Sequence, residues 1–170
     1  FGLARGKHAL IVASGPTLQT NLATLQAQLQ TRRQDYLLIS VDTALAFLLR
    51  HGIRPDIVVT IDDAIHGSRL PADQSAQTTL VYYPTVPTAA LLAWQGPRKA
   101  AYSRSPMYQA LRQEIPKGTL HSGGSVIHPA VDLAVQMGCQ QVILLGTDFA
   151  FPGELTHSGW VDGALGPTAS

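Results

Sequence analysis

The sequence predicts an α/β fold in which helices cover both faces of a mostly parallel sheet. Three observations lead there. Residues 9–13 (ALIVA), 37–41 (LLISV) and 57–61 (IVVTI) are short apolar runs without polar alternation, the pattern of strands buried on both faces of a parallel sheet. Helix-like stretches with short connections separate these runs, and crossover helices are the economical way to join parallel strands. Polar or glycine-bearing clusters follow the runs, where an open parallel sheet presents its ligand-binding edge.

Taken in order, the first run stops at Ser14, Gly15 and Pro16. Beyond it, Leu18, Leu22, Leu25 and Leu29 are spaced by four, three and four, one stripe of a helix that can lie on the sheet. The second run gives way to Asp42, which caps a helix carrying Leu45, Leu48 and Leu49. Gly52 ends that helix and Pro55 follows. The third run ends in Asp62 and Asp63. The middle of the chain is less regular. Residues 79–83 read as a strand, 88–94 as a short helix, 100–102 as a strand and 107–113 as a helix. Ser122, Gly123, Gly124 and Ser125 then precede a helix reaching Met137, with Ile127, Val131 and Ala134 on one side. Pro129 fits only in a first turn, which moves the true start towards His128. Residues 141–145 read as another buried strand, ending at Gly146, Thr147 and Asp148. The whole is a Rossmann-like three-layer sandwich.

Composition narrows the function classes. The 170 residues are 45% hydrophobic and 14% charged, a globular balance with enough chain for one sizeable core. A net charge of +1 supplies no basic stripe for nucleic acid. No apolar run is long enough to span a bilayer, and none reads as a signal peptide. No nucleic-acid or membrane partner is expected, and a cytoplasmic location suits these facts. Cys139 is the only cysteine, which excludes an internal disulfide and a cysteine zinc cluster; between a helix and a strand it reads as a buried structural thiol. The chain begins at Phe1, and residues 163–170 are rich in Gly, Ala, Pro and Ser without a clear element. We expect one nucleotide-binding domain over residues 1–170, excised from a longer protein, with 163–170 as a flexible tail.

Four polar clusters fall at strand ends: Ser14, Gly15, Pro16 and Thr17; Asp42 and Thr43; Asp62 and Asp63; Gly146, Thr147 and Asp148. Their convergence at one sheet edge is the main argument for a site. Gly15 permits close approach of a ligand to the backbone, and the helix after it offers amides and a positive dipole end to an anion. The same residues also read as a tight turn capped by Thr17. Ser122, Gly123, Gly124 and Ser125 repeat this logic at a second helix start. Neither element is a G-x-G-x-x-G fingerprint or a lysine-bearing P-loop. Asp42 is a cap first and a ribose or base contact second. Adjacent residues on an extended chain point opposite ways, so one of Asp62 and Asp63 faces the cleft. Of the six histidines, His8 and His51 read as surface, His66 and His121 as near loops, and His128 as opening the glycine-led helix. His157 follows the last strand, in a segment that could close over a ligand and supply a general base.

Three ordered blocks resemble a known family. Residues 11–18 (IVASGPTL) are similar to its opening G-S/A-G-P-S-L motif. Residues 40–44 (SVDTA), 51–56 (HGIRPD) and 59–62 (VTID) resemble its second block, and 122–126 (SGGSV) through Gly138 and Cys139 to 145–150 (LGTDFA) its third. The family holds the bacterial motility-associated factors, which are flagellin glycosyltransferases, and the archaeal 6-hydroxymethylpterin diphosphokinases. The likeness runs from about Lys7 to His157. A more distant likeness is to bacterial sialyltransferases that use CMP-sialic acid. One departure is Thr17, where the family has Ser; the hydroxyl is kept.

The resemblance implies transfer of a nonulosonic, sialic-acid-like sugar from a CMP donor to Ser or Thr hydroxyls of flagellin. It implies donor contacts from Ser14, Gly15, Pro16, Thr17, Asp42, Asp62, Ser122, Gly123, Gly124, Ser125, Thr147 and Asp148, with His157 as base and no cofactor or metal required. The alternative it implies is Mg²⁺-dependent pyrophosphoryl transfer from ATP to a hydroxymethylpterin, with Asp62, Asp63 and Asp148 holding the metal. A third reading, from another class, is a non-catalytic nucleotide-binding module.

Overall fold

A computed structural model describes residues 2–149 except His66 and Ser68. Strands β1 (His8–Val12), β2 (Tyr36–Val41), β3 (Ile57–Thr60), β4 (Thr79–Tyr82), β5 (Arg98–Tyr102), β6 (Gly118–Thr119) and β7 (Gln141–Leu145) form one sheet in the order β6-β5-β4-β3-β2-β1-β7. Every neighbouring pair is parallel. The helices are α1 (Thr17–Thr20), α2 (Leu22–Arg32), α3 (Asp42–Arg50), α4 (Thr88–Ala93), α5 (Gln109–Glu114) and α6 (Ile127–Gln136). This is the α/β sandwich that the sequence predicts.

The strand order places the switch point. From β1 the chain steps outwards, strand by strand, to β6; it then returns to lay β7 on the other side of β1. Right-handed crossovers put helices of opposite travel on opposite faces. The side chains follow that division. Val58 and Leu80 pack with Leu45 of α3 and with Trp94, whereas their alternates Ile57, Val59 and Val81 join the cluster that holds Ile127, Ala130 and Ala134 of α6. The crevice between β1 and β7 opens at the carboxyl ends of both strands.

The predicted leucine stripe is present: Leu18 and Leu25 are buried, and Leu22 and Leu29 pack on the same core. The single helix expected there is two. Asn21 breaks it with φ −101° and ψ 9°, and its side chain donates to the Thr17 carbonyl at 2.9 Å beside its own backbone amide at 3.1 Å. Asp42 opens α3 rather than preceding it; the extended residue before the helix is Val41. The strand expected to be buried, β7, lies at a sheet edge, and Leu144 is 46% exposed. His8, expected at the surface, is half-buried and its Nδ1 has no partner. Cys139 is half-buried, with its thiol pushed up by burial and lowered in part by Lys7. No helix among the described residues is long and apolar enough to cross a membrane.

Candidate functional site

The first and last strands end in turns that lock together. Ala13 donates to the Leu145 carbonyl at 2.8 Å and Gly15 to the Gly146 carbonyl at 2.7 Å. A side chain on Gly15 would meet the Gly146 carbonyl at 2.5 Å and the Asp148 carboxylate at 2.6 Å. Asp148 accepts the Thr17 amide at 2.7 Å and also the Thr17 hydroxyl. The next amides turn inwards: Leu18 donates to Gly15 and Gln19 to Pro16. The unpaired amides expected at this helix start are therefore satisfied by the protein, with Asp148 in the place an anion would take. Gly15, Pro16, Thr17, Gly146 and Asp148 form one interlocked unit at the switch point.

Beneath it lies a buried polar chain. Ser14 is 5% exposed, and its hydroxyl meets that of Thr43 at 2.8 Å. Asp42 is 3% exposed; one carboxylate oxygen accepts the Thr43 amide at 2.7 Å and the other the Thr60 hydroxyl at 2.6 Å. Burial pushes the Asp42 carboxyl up, against the two hydrogen bonds that hold it down; Asp62 adds to the rise and Arg69 opposes it. Ser14 and Asp42 thus tie the ends of β1, β2 and β3 together below the surface.

The second glycine element is different. Among the described residues, the amides of Gly124, Ser125, Val126 and Ile127 have no hydrogen-bond partner. They crown α6, a helix of ten residues, where the dipole adds to their pull on an anion. Gly124 sits at φ +89°, a left-handed angle that turns the chain into the helix and that glycine adopts without strain. Gly123 donates to His128 Nδ1 at 3.2 Å. As an acceptor there, a neutral His128 ring carries its proton on Nε2. Pro129 sits in the first turn, as the sequence required.

Asp62 is half-buried and Asp63 exposed. Asp62 accepts the Ala64 amide at 2.8 Å and pairs with Arg69 at 2.6 Å. Asp62, Asp63 and Asp148 do not come together as a ligand set: no three acidic, histidine or cysteine side chains among the described residues could hold one metal ion. Asp148 is tied to Thr17 beside β1, while Asp62 follows β3, two strands across the sheet. Thr147 lies half-buried between Gly146 and Asp148. His157 and residues 163–170 lie outside the described residues.

Residues 2–154 match the family model described as 6-hydroxymethylpterin diphosphokinase MptE-like. The chain belongs to that family. No curated protein matches this MptE-like sequence. Among solved structures, it is similar to the MAf glycosyltransferase from Magnetospirillum magneticum AMB-1, with a TM-score of 0.67 and 20% identity over 85% of this chain. The chain spans 23% of the length of that structure. At this identity the likeness of the MptE-like sheet and crossovers is one of fold.

Sequence reasoning named Ser122 but passed over most of the wall beside it in this MptE-like domain. Tyr83, Thr85, Ser103, Arg104, Ser105, Tyr108, His121 and Ser122 line a cleft of about 650 Å³ beyond the carboxyl ends of the strands from β3 to β6. The irregular middle of the chain carries most of these residues. The signal that could have found them is the Ser103-Arg104-Ser105 tripeptide straight after a strand.

Proposed function

We propose that the domain is the donor-binding part of a glycosyltransferase that moves a nonulosonic sugar from a CMP donor to a Ser or Thr hydroxyl, with flagellin as the acceptor protein. The observation that carries this reading is the row of unpartnered amides from Gly124 to Ile127 at the start of α6. They suit the phosphate of the donor, and Ser122 and Ser125 add hydroxyls beside them. Family membership and the fold shared with the MAf glycosyltransferase support it.

In the reaction, the acceptor oxygen bonds to the anomeric carbon while the bond from that carbon to the phosphate oxygen breaks. The electron pair leaves with CMP. Charge therefore grows on the phosphate, where pre-aligned amides and a helix dipole stabilise it without reorganising. The acceptor's proton passes to a base, for which His157 is the candidate. The chemistry calls on no metal. The Gly15-Pro16-Thr17 turn, closed by Asp148, serves as the rigid wall of the donor site and contacts the nucleoside rather than the phosphate.

The family description favours a second reading, pyrophosphoryl transfer from ATP to a hydroxymethylpterin. Calorimetry separates the two. The first expects CMP to bind equally with EDTA or with Mg²⁺. Mg²⁺-dependent ATP binding without CMP affinity would overturn it in favour of the second.

A further inference from the structure

The cleft between Tyr83 and Ser122 has a chemistry of its own. Arg104 is the only permanently charged side chain among its lining residues, and none of them is a carboxylate. Among the described residues the Arg104 guanidinium has no hydrogen bond or ion pair. Ser103 and Ser105 flank it. The Ser103 hydroxyl oxygen accepts the Ser105 amide at 3.3 Å, and that of Ser105 accepts the Met107 amide at 3.3 Å. Both hydroxyl protons are left to donate outwards. Arg112 pins this loop by donating to the Ser105 carbonyl at 3.1 Å and the Tyr108 carbonyl at 3.3 Å, and Tyr108 stacks on Tyr102 at 5.1 Å.

On the opposite wall, Tyr83 is buried and its hydroxyl donates to the Leu120 carbonyl at 3.0 Å. Burial pushes its phenol up to about 12, while the polar Ser122 side chain works against the rise. Ser122 also lines this wall, and its hydroxyl can pair with a ligand hydroxyl. One wall of the cleft thus offers a guanidinium and two hydroxyl donors, and the other the Ser122 hydroxyl beside the ring of His121. Donor-rich on one side and mixed on the other, it matches a polyhydroxylated molecule bearing one carboxylate.

We propose that this cleft is a binding site for an acidic sugar, with Arg104, Ser103 and Ser105 receiving the carboxylate and Ser122 a ring or side-chain hydroxyl. As the place of the donor's sugar it rests on the CMP-sugar reading, and Ser122 joins it to the phosphate-binding amides. The test titrates the protein with CMP, with CMP-N-acetylneuraminic acid and with free N-acetylneuraminic acid, in the wild type and in Arg104→Gln. Arg104 is exposed, so the variant should keep its thermal midpoint. The expected result is that the acidic sugar adds to the affinity of CMP. Arg104→Gln should lose about tenfold for the sugar nucleotide, the scale of one charge-assisted contact, and nothing for CMP. CMP binding with no gain from the sugar, or an equal loss for both ligands, overturns the cleft and leaves the CMP reading standing. Arg104-dependent binding of the free acid without CMP affinity does the reverse. If none of the three binds, both fall.

Discussion

Asp148 accepts both the backbone amide and the hydroxyl of Thr17, a residue 131 positions earlier in the chain. The pair joins the end of β7 to the start of α1 across the switch point, and it uses the helix start that a free anion would otherwise occupy. It holds the two turns together. Thr17→Val should cost about 1 kcal/mol in urea denaturation, the usual scale of a lost cap or hydrogen bond. Asp148→Ala should cost about 1–2 kcal/mol, since it also strands the Thr17 amide. The double mutant should cost less than the sum, with a coupling of about 0.5–1 kcal/mol. Strict additivity would sever the two residues energetically.

The two glycine turns predict opposite responses to added charge. Ser125→Asp places a carboxylate among the free amides of α6. An acidic residue at a helix start stabilises by about 0.3–1 kcal/mol, so the variant should melt no lower than the wild type. The same charge should repel a nucleotide phosphate and weaken CMP binding by at least about tenfold, since like charges a few ångströms apart cost several kcal/mol near a protein surface and less where salt screens them. Unchanged CMP affinity would move the phosphate away from α6.

Parallel strands buried on both faces leave dense apolar runs, so β1, β2 and β3 and the convergence of their ends were legible from sequence. Strand β6 was not: two residues, Gly118 and Thr119, carry no period. The break at Asn21 escaped because the leucine spacing continues across it. Partnering was the harder quantity. Thr17 and Ser125 stand at similar glycine-led helix starts, and only the fold reveals that Asp148 closes one while the other stays open. Asp42 reads from the sequence as a cap first and a ribose or base contact second, and the resemblance makes Ser14 a donor contact. Their burial depends on packing between β2, β3 and α3, which a linear reading does not weigh.

Glycine contacts separate a rigid wall from an adjustable one. Around Gly15 the nearest obstacle to a side chain is the Gly146 carbonyl, which is backbone. Gly15→Ala should therefore destabilise by about 1–3 kcal/mol, the range for overpacking. At Gly123 the obstacle is the His128 ring at 2.9 Å, which can rotate away. Gly123→Ala should change stability by less than about 1 kcal/mol, as substitutions near the surface do, while breaking the bond to His128 Nδ1. The readout is the ring-nitrogen NMR shift of His128, which should lose its single-tautomer signature. An unmoved signal would show that the turn, not the ring, gives way.

Asp42 supplies the pH dependence. Burial raises its carboxyl pKa in the folded state, so the folded protein binds its proton more tightly than the unfolded chain does. Below the unfolded value of about 4 the group is protonated in both states and contributes no pH dependence. As pH climbs from there to the raised folded value, the unfolded chain releases its proton first, and stability declines across that window. Above it the loss is complete and constant. Asp42→Asn holds the neutral form at every pH and keeps an acceptor for the Thr43 amide and a partner for the Thr60 hydroxyl. Its denaturation midpoint should lie close to that of the wild type below pH 4 and above it at pH 7, with the gap opening through the window. Asp42→Ala, which leaves both partners buried and unpaired, should instead cost about 1–3 kcal/mol per stranded group. A gap between Asn and wild type that is the same at pH 4 and pH 7 would show that Asp42 ionises at its ordinary value despite its burial.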